Sequence, residues 1–406
     1  MKYKKIPGGI CAAEGFMASG AHCGIRNNTS KPDIALIVSS VACHAAAVYT
    51  QNKVKGAPIH LTQKHLADGK AKAILCNSGN ANTCNPDGPA IAQTCCNLAA
   101  EATGLRPEDF IIASTGVIGQ PLSTAPFEKG LPKLAAALRR EGSTDAADAI
   151  LTTDTKHKEF AYEFSLGGKT CHIGAIGKGS GMINPNMATM LVFLTTDVAI
   201  GSDLLEQALQ AEILHSFNQL YIDGDTSTND MVSILASGLA GNQPIEETSG
   251  EYQTFREVLH TICVKMCRAL AADGEGATKL LECHVNGAPS GEIARRVAKT
   301  VVSSDLCKTA MFGEDANWGR VLCAIGYTEG DFPVDKVSLI LKSSAGEVLV
   351  CENATHRPFS EEEASRILAE DELQLLIDLQ SGTESGTAWG CDLTYDYVKI
   401  NGDYRT

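Results

Sequence analysis

The chain has 406 residues, 44% hydrophobic and 20% charged, an ordinary globular composition long enough for two or three packed domains, so disordered and fibrous classes are excluded. Lys and Arg number 34 against 48 Asp and Glu, a net charge of −14, so a phosphate-binding surface would need strong local segregation of charge and nucleic acid is not an expected partner. Fifteen cysteines, an odd count without a CxxC pair, argue against a disulfide framework and a zinc cluster and for reduced thiols in a cytosol. Cys263 and Cys267, four apart in a helical pattern, read as small buried thiols.

Lysines 2, 4 and 5 imitate the start of a signal peptide, but Pro7, Gly8, Gly9 and Glu14 interrupt any apolar core behind them, so export is not expected. The most apolar stretch, 33–49, is broken by Ser39, Ser40 and His44 and falls short of the roughly 20 apolar residues of a membrane helix. Short apolar runs at 34–38, 73–76 and 110–113 alternate with helical patterns at 89–102 and 128–140, which predicts a mixed α/β (α+β) fold. Phe160, Tyr162, Phe164 and Leu166 alternate with polar residues, and Gly167-Gly168 then reverses the chain into Cys171, Ile173 and Ala175, a hairpin. A buried strand follows at 190–198, then helices at 203–217 and 252–271 with a polar loop, 223–230, between them. The C-terminal part reads as a helix at 290–299, a hairpin of 337–342 and 347–351, a helix at 361–370, and alternating strands at 373–379 and 393–400.

The most unusual segment is Gly177-Lys178-Gly179-Ser180-Gly181-Met182-Ile183-Asn184-Pro185-Asn186-Met187-Ala188-Thr189-Met190-Leu191. A phosphate-binding P-loop would require glycine where His172 stands and Ser or Thr where Gly179 stands. A dinucleotide fingerprint fails as well, because the third glycine is misplaced and a strand, not a helix, follows. The loop 223–230 lacks the spacing and the later Glu of a calcium loop, so no metal is expected there; Asp225-Thr226 and Asn229-Asp230 read as residues that cap and hold backbone near a site.

The run from Lys178 to Leu191 resembles the signature of the glutamate N-acetyltransferase/ornithine acetyltransferase family of arginine biosynthesis, with Asn184 where many members carry Ala. The likeness extends to Asn77-Ser78-Gly79-Asn80-Ala81-Asn82, Ser114-Thr115-Gly116-Val117-Ile118-Gly119, Thr152-Thr153-Asp154-Thr155, the loop Asp223–Asp230, Asp273-Gly274-Glu275-Gly276-Ala277-Thr278-Lys279 and Asn317-Trp318-Gly319-Arg320. It therefore spans nearly the whole chain. It implies an αββα-like sandwich of the ornithine acetyltransferase/DmpA-like type, with a larger body around 1–280 and a smaller C-terminal α/β region around 281–406. It also implies a precursor that cuts itself between Ala188 and Thr189 into chains 1–188 and 189–406, assembled as two copies of each.

By the same resemblance Thr189 is the nucleophile, Thr115 and Gly116 form the oxyanion hole, and Thr152 (or its neighbour Thr153), Lys178, Thr189, Glu275, Asn401 and Thr406 contact substrate. The chemistry is coherent. Cutting before Thr189 frees an α-amine of pKa near ~7.7–8.0, a base suited to taking the proton of the same residue's hydroxyl, so no Ser-His-Asp set is needed. Glu275 lies between glycines after a helix, which reads as an exposed turn; Asn401 and Thr406 lie at a terminus that must fold back to serve a pocket. The implied reaction moves acetyl from N2-acetyl-L-ornithine to L-glutamate by a ping-pong path without cofactor, and some members also take acetyl from acetyl-CoA. A hydrolase or aminopeptidase of related fold, with water as acceptor, is the alternative; a non-catalytic amino-acid-binding protein is a second.

Overall fold

Alternation along neighbouring strands shows how the first part of the chain buries both faces of a sheet. Ile34, Leu36, Ala73, Leu75, Phe110 and Ile112 pack on one side with Phe127, Leu131 and Leu134, while Ala35, Ile37, Ile74, Cys76, Ile111 and Ala113 pack on the other with Ile10, Phe16 and Ile150. Side chains of period two explain the division, and continuous apolar runs are what a sheet covered on both faces requires. In this computed structural model the described residues are 3–184 and 190–402.

The chain forms two compact units: residues 1–179, 186–213 and 226–266, and residues 180–185, 214–225 and 267–406. In the first, nine strands among the described residues make one sheet, in the order Tyr3–Lys5, Lys158–Leu166, Lys169–Lys178, Leu191–Thr196, Met231–Ala236, Ile34–Tyr49, Lys70–Asn80 and Phe110–Val117, with Phe16–Ala21 also paired to Ile34–Tyr49. The 16-residue strand Ile34–Tyr49 changes partners along its length. Its first part pairs with Phe16–Ala21 and Lys70–Asn80, and residues from His44 onward pair with Met231–Ala236. Helices Gly88–Thr103 and Ala125–Ala136 supply the apolar layer that meets Leu36 and Phe110.

In the second unit, six strands among the described residues form a sheet in the order Thr355–His356, Gly346–Glu352, Ser338–Ser343, Glu372–Asp378, Leu280–Ala288 and Glu384–Cys391. Helix Gly291–Ser303 packs Ala294, Val297, Ala298 and Val301 into its core, and its start is fixed by the Ser290 hydroxyl accepting from the Ile293 N–H at 3.2 Å. The fold is the mixed α/β one that the sequence pattern predicts.

One predicted element is wrong. The segment 393–400 reads as an alternating strand, yet Tyr395–Gly402 is a helix and the last strand is the earlier Glu384–Cys391. Docking overrides propensity here: the Thr394 hydroxyl donates to the Gly276 carbonyl at 2.7 Å, and the helix backbone lies where a side chain at Gly276 would meet Tyr397 N at 2.6 Å.

Candidate functional site

Thr115 and Gly116 end the strand Phe110–Val117, which runs parallel to Lys70–Asn80 with Ser78 opposite Thr115 and Gly79 opposite Gly116. The register shifts between Gly79 and Asn80, an irregularity in the ladder directly beside this pair. Gly116 has φ +127°, and a Cβ there would stand 2.4 Å from the Gly79 carbonyl carbon, so only glycine fits. Asn229 secures the approach to this point. Its Nδ2 donates to Ala81 O at 2.6 Å and to Ser114 O at 3.0 Å, and its Oδ1 accepts from the Thr83 and Thr228 hydroxyls at 2.5 and 2.6 Å. The expectation that Asn229 holds backbone is met.

Lys178 and Thr152 meet through a residue that the sequence reading did not single out. Asp154 Oδ1 accepts from the Gly179 N–H at 2.7 Å and from Lys158 Nζ at 2.8 Å, and Oδ2 accepts from the Thr152 N–H at 3.1 Å and its hydroxyl at 3.4 Å. Burial alone would raise the Asp154 pKa, but the cations Lys178 and Lys158 and these donors hold it well below the usual carboxylate range. Asp154 thus fixes Thr152 and the backbone immediately after Lys178. No local spacing announces it, because Gly179 lies 25 residues away.

Asp230 is the opposite case. It is buried, burial pushes its pKa well above the ordinary value despite the Ser227 hydrogen bond and the nearby Lys178 charge, and its Oδ2 has no hydrogen-bond partner among the described residues.

In the second unit Glu275 is joined to Asn401. Asn401 Nδ2 donates to Glu275 Oε2 at 2.8 Å and to Tyr397 O at 3.1 Å, so the terminal helix folds back as the resemblance requires. The exposed turn expected at Glu275 is corrected: the residue is 8% exposed, its N–H donates to Ser180 O at 2.8 Å, and its carboxylate occupies the space that a Cβ on Gly181 would need. A flanking glycine here admits a neighbour's side chain rather than marking solvent. Ala188, Thr189 and Thr406 lie outside the described residues.

Among the described residues no three His, Cys, Asp or Glu side chains converge as a metal set, and no helix is long and apolar enough to cross a membrane.

The comparisons with known proteins put this mixed α/β chain among enzymes of arginine biosynthesis. The model of the ArgJ family matches residues 17–406. The arginine biosynthesis bifunctional protein ArgJ of Symbiobacterium thermophilum is 49% identical over 403 residues, 99% of each chain. Its namesake from Bacillus subtilis is 44% identical over 404 residues, 99% of this chain and 98% of its own. Among solved structures, the crystal structure of arginine biosynthesis bifunctional protein argJ from Bacillus halodurans is 43% identical with a TM-score of 0.50, covering 52% of this chain and 97% of that one. The chain belongs to the ArgJ family of arginine-biosynthesis enzymes.

Proposed function

We infer that this chain is an acetyltransferase that moves acetyl from N2-acetyl-L-ornithine to L-glutamate through an acetyl ester on Thr189, formed after the chain cuts itself at Ala188–Thr189. In the cut, the Thr189 hydroxyl adds to the Ala188 carbonyl carbon, the C–N bond breaks to leave an ester and a free amine, and water hydrolyses the ester to the Ala188 carboxylate and the Thr189 hydroxyl. In the transfer, that amine takes the hydroxyl proton as the oxygen adds to the acetyl carbonyl, then returns the proton to the departing ornithine nitrogen. The amine of glutamate reverses these steps on the ester. Exchange of one amide for another needs no external energy, and no cofactor enters.

The observation that carries the reading is Gly116: a residue near the strand end, beside Thr115, where no Cβ fits, on a backbone that Asn229 anchors at Ser114. Donors so placed suit an oxyanion that develops in the transition state. Lys178, Thr152, Glu275 and Asn401 are the side chains we assign to the amino-acid substrate, with Thr406 at the end of the same tail. Lys178 suits the substrate carboxylate and Glu275 its ammonium. The coverage of the Bacillus halodurans structure supports the split, since about half of this chain accounts for nearly all of that one, as expected if that chain is one product. We assign two copies of each product to the assembly and the cytoplasm as its setting, which suits fifteen cysteines with no disulfide among the described residues.

The test is purified protein with acetyl-ornithine, with and without glutamate. Parallel lines in double-reciprocal plots and an acetylated 189–406 chain by mass are expected, both lost in Thr189→Ala. Acetate release without glutamate, as fast as transfer with it, would instead establish a hydrolase. Acetyl-CoA in place of acetyl-ornithine shows whether fresh acetyl groups also enter.

A further inference from the structure

Glu275, the carboxylate assigned above to the substrate's ammonium, stands between two glycines, Gly274 and Gly276. Glycine loses more conformational freedom on folding than any other residue, so a turn built this way needs anchors from outside itself. They come from the segment 392–401, 113 to 126 residues further along the chain. The ladder between Leu280–Ala288 and Glu384–Cys391 ends with Leu280 opposite Cys391. One residue on, the Asp392 side chain continues it. Its Oδ1 accepts from the Thr278 N–H at 2.9 Å and the Lys279 N–H at 3.0 Å, its Oδ2 accepts from the Thr278 hydroxyl, and the Asp392 N–H donates to Lys279 O at 3.2 Å. Asp392 is buried, so these charge-assisted bonds are made away from water, where they are strong.

The next anchors follow at once. The Thr394 hydroxyl donates to Gly276 O at 2.7 Å, and Asn401 Nδ2 donates to Glu275 Oε2 at 2.8 Å. Gly276 has φ +69°, and a Cβ there would meet the backbone of Asp396 and Tyr397, so the turn lies flush against the helix Tyr395–Gly402. Asn401 thus holds the Glu275 carboxylate, while Asp392 fixes the backbone that carries it. An ion pair depends on where its two charges stand, and a displacement of about 1 Å is enough to weaken such a contact.

We propose that Asp392 is a positioning residue that determines specificity: by fixing residues 278 and 279 it aims Glu275 at the ammonium of the substrate, and so sets the preference for an acetylated amino acid whose side chain ends in a cation. This rests on the assignment of Glu275 made above. In N2-acetyl-L-ornithine the α-nitrogen carries the acetyl group, so the cation lies at the far end of the side chain. N2-acetyl-L-norvaline has the same carbon chain without that ammonium, and comparing the two donors isolates the contact with Glu275.

The experiment measures kcat/KM for each donor, with glutamate as acceptor, in wild type, Glu275→Gln, Asp392→Ala, Asp392→Asn, Thr278→Val and the double variant Asp392→Ala/Glu275→Gln. Asp392→Ala should lower kcat/KM for acetyl-ornithine about tenfold, chiefly through KM, and leave acetyl-norvaline within about twofold. Asp392→Asn should stay within about threefold of wild type for both donors, because its amide oxygen still accepts from the two N–H groups and its NH2 donates to the Thr278 hydroxyl. Thr278→Val, which removes one partner of Asp392, should lower the ratio between the donors about threefold and carries the test where Asp392→Ala does not fold. Glu275→Gln should erase the preference, and the double variant should lose no more than Glu275→Gln does, since nothing is left to position. An equal fall for both donors in Asp392→Ala and Thr278→Val, or additive losses in the double variant, means a merely structural residue and overturns the proposal. Wild type without a preference for acetyl-ornithine, or Glu275→Gln that keeps it, overturns the assignment of Glu275 and this proposal with it; a preference lost in Glu275→Gln but intact in Asp392→Ala overturns this proposal alone.

Discussion

Replacing Asp154 by Asn tests whether the buried ion pair organises its unit. Asp154 and Lys158 are joined at 2.8 Å with side chains 0% and 3% exposed. Removing the anion leaves Lys158 without its carboxylate and turns two acceptor oxygens into one acceptor and one donor facing donors. Breaking such a pair from one side costs about 3–5 kcal/mol, and Asn, which keeps one acceptor, should fall near about 3 kcal/mol. For a unit of this size that is a drop in melting temperature of about 6–12 °C. The pH dependence follows from the direction of the shift. The Asp154 pKa is lowered in the folded state, so its contribution is fully present above the unfolded pKa of about 3.9 and is lost as pH falls toward the lower folded value. The stability gap between wild type and Asp154→Asn, read from urea midpoints, should therefore be constant from pH 7 to 5 and narrow by about 1 kcal/mol between pH 5 and 3. Midpoints that coincide at pH 7, or a gap that stays the same at pH 3, would refute the argument. Activity of the surviving folded fraction should show a raised KM, because Thr152 and the backbone after Lys178 lose their common anchor.

Gly116→Ala should lower kcat by about 10²–10³ in a steady-state assay with acetyl-ornithine and glutamate, since the added Cβ meets the Gly79 carbonyl carbon and displaces the strand-end amide. Wild-type kcat in that variant would remove Gly116 from the oxyanion site. With a thiol reagent, native protein should show two fast-reacting cysteines, Cys84 and Cys323, the two classed as exposed among fifteen. Burial pushes the thiols of Cys11, Cys76 and Cys96 up to about 12, which should make them unreactive until the chain unfolds. Peptide mapping after brief labelling checks which sites are modified.

The parts of this molecule legible in the sequence are those whose cause is local. Gly167-Gly168 announces the hairpin of Lys158–Leu166 and Lys169–Lys178, a short apolar run announces the strand that carries Thr115, and alternating apolar residues announce the one that carries Lys178. Helix Gly250–Ala272 follows from its periodicity. What escaped depends on partners distant in sequence. Asp154 matters because Gly179 returns to it, and Asp223 because Met182 and Ile183 do. Glu275 is buried because Gly181 leaves room for its carboxylate, and the terminal helix replaces an expected strand because Gly276 admits its backbone. The strand Met231–Ala236 went unread because it lies between strong helical patterns and follows the polar loop without a turn signal of its own.

The order of strands in the large sheet gives the proposed cut an unusual outcome. Leu191–Thr196 and Met231–Ala236 lie side by side in the interior of the sheet, between Lys169–Lys178 on one flank and Ile34–Tyr49 on the other. A break at Ala188–Thr189 assigns the two middle strands to one product and both flanking strands to the other. The fragments are then interleaved like fingers of two hands, and neither can leave without tearing two ladders of main-chain hydrogen bonds. Before the cut, this sheet forms by a unimolecular search; afterwards its recovery from denaturant requires an encounter between two molecules and so depends on concentration. The enzyme would fold once as a single chain and thereafter persist through slow unfolding rather than ready refolding.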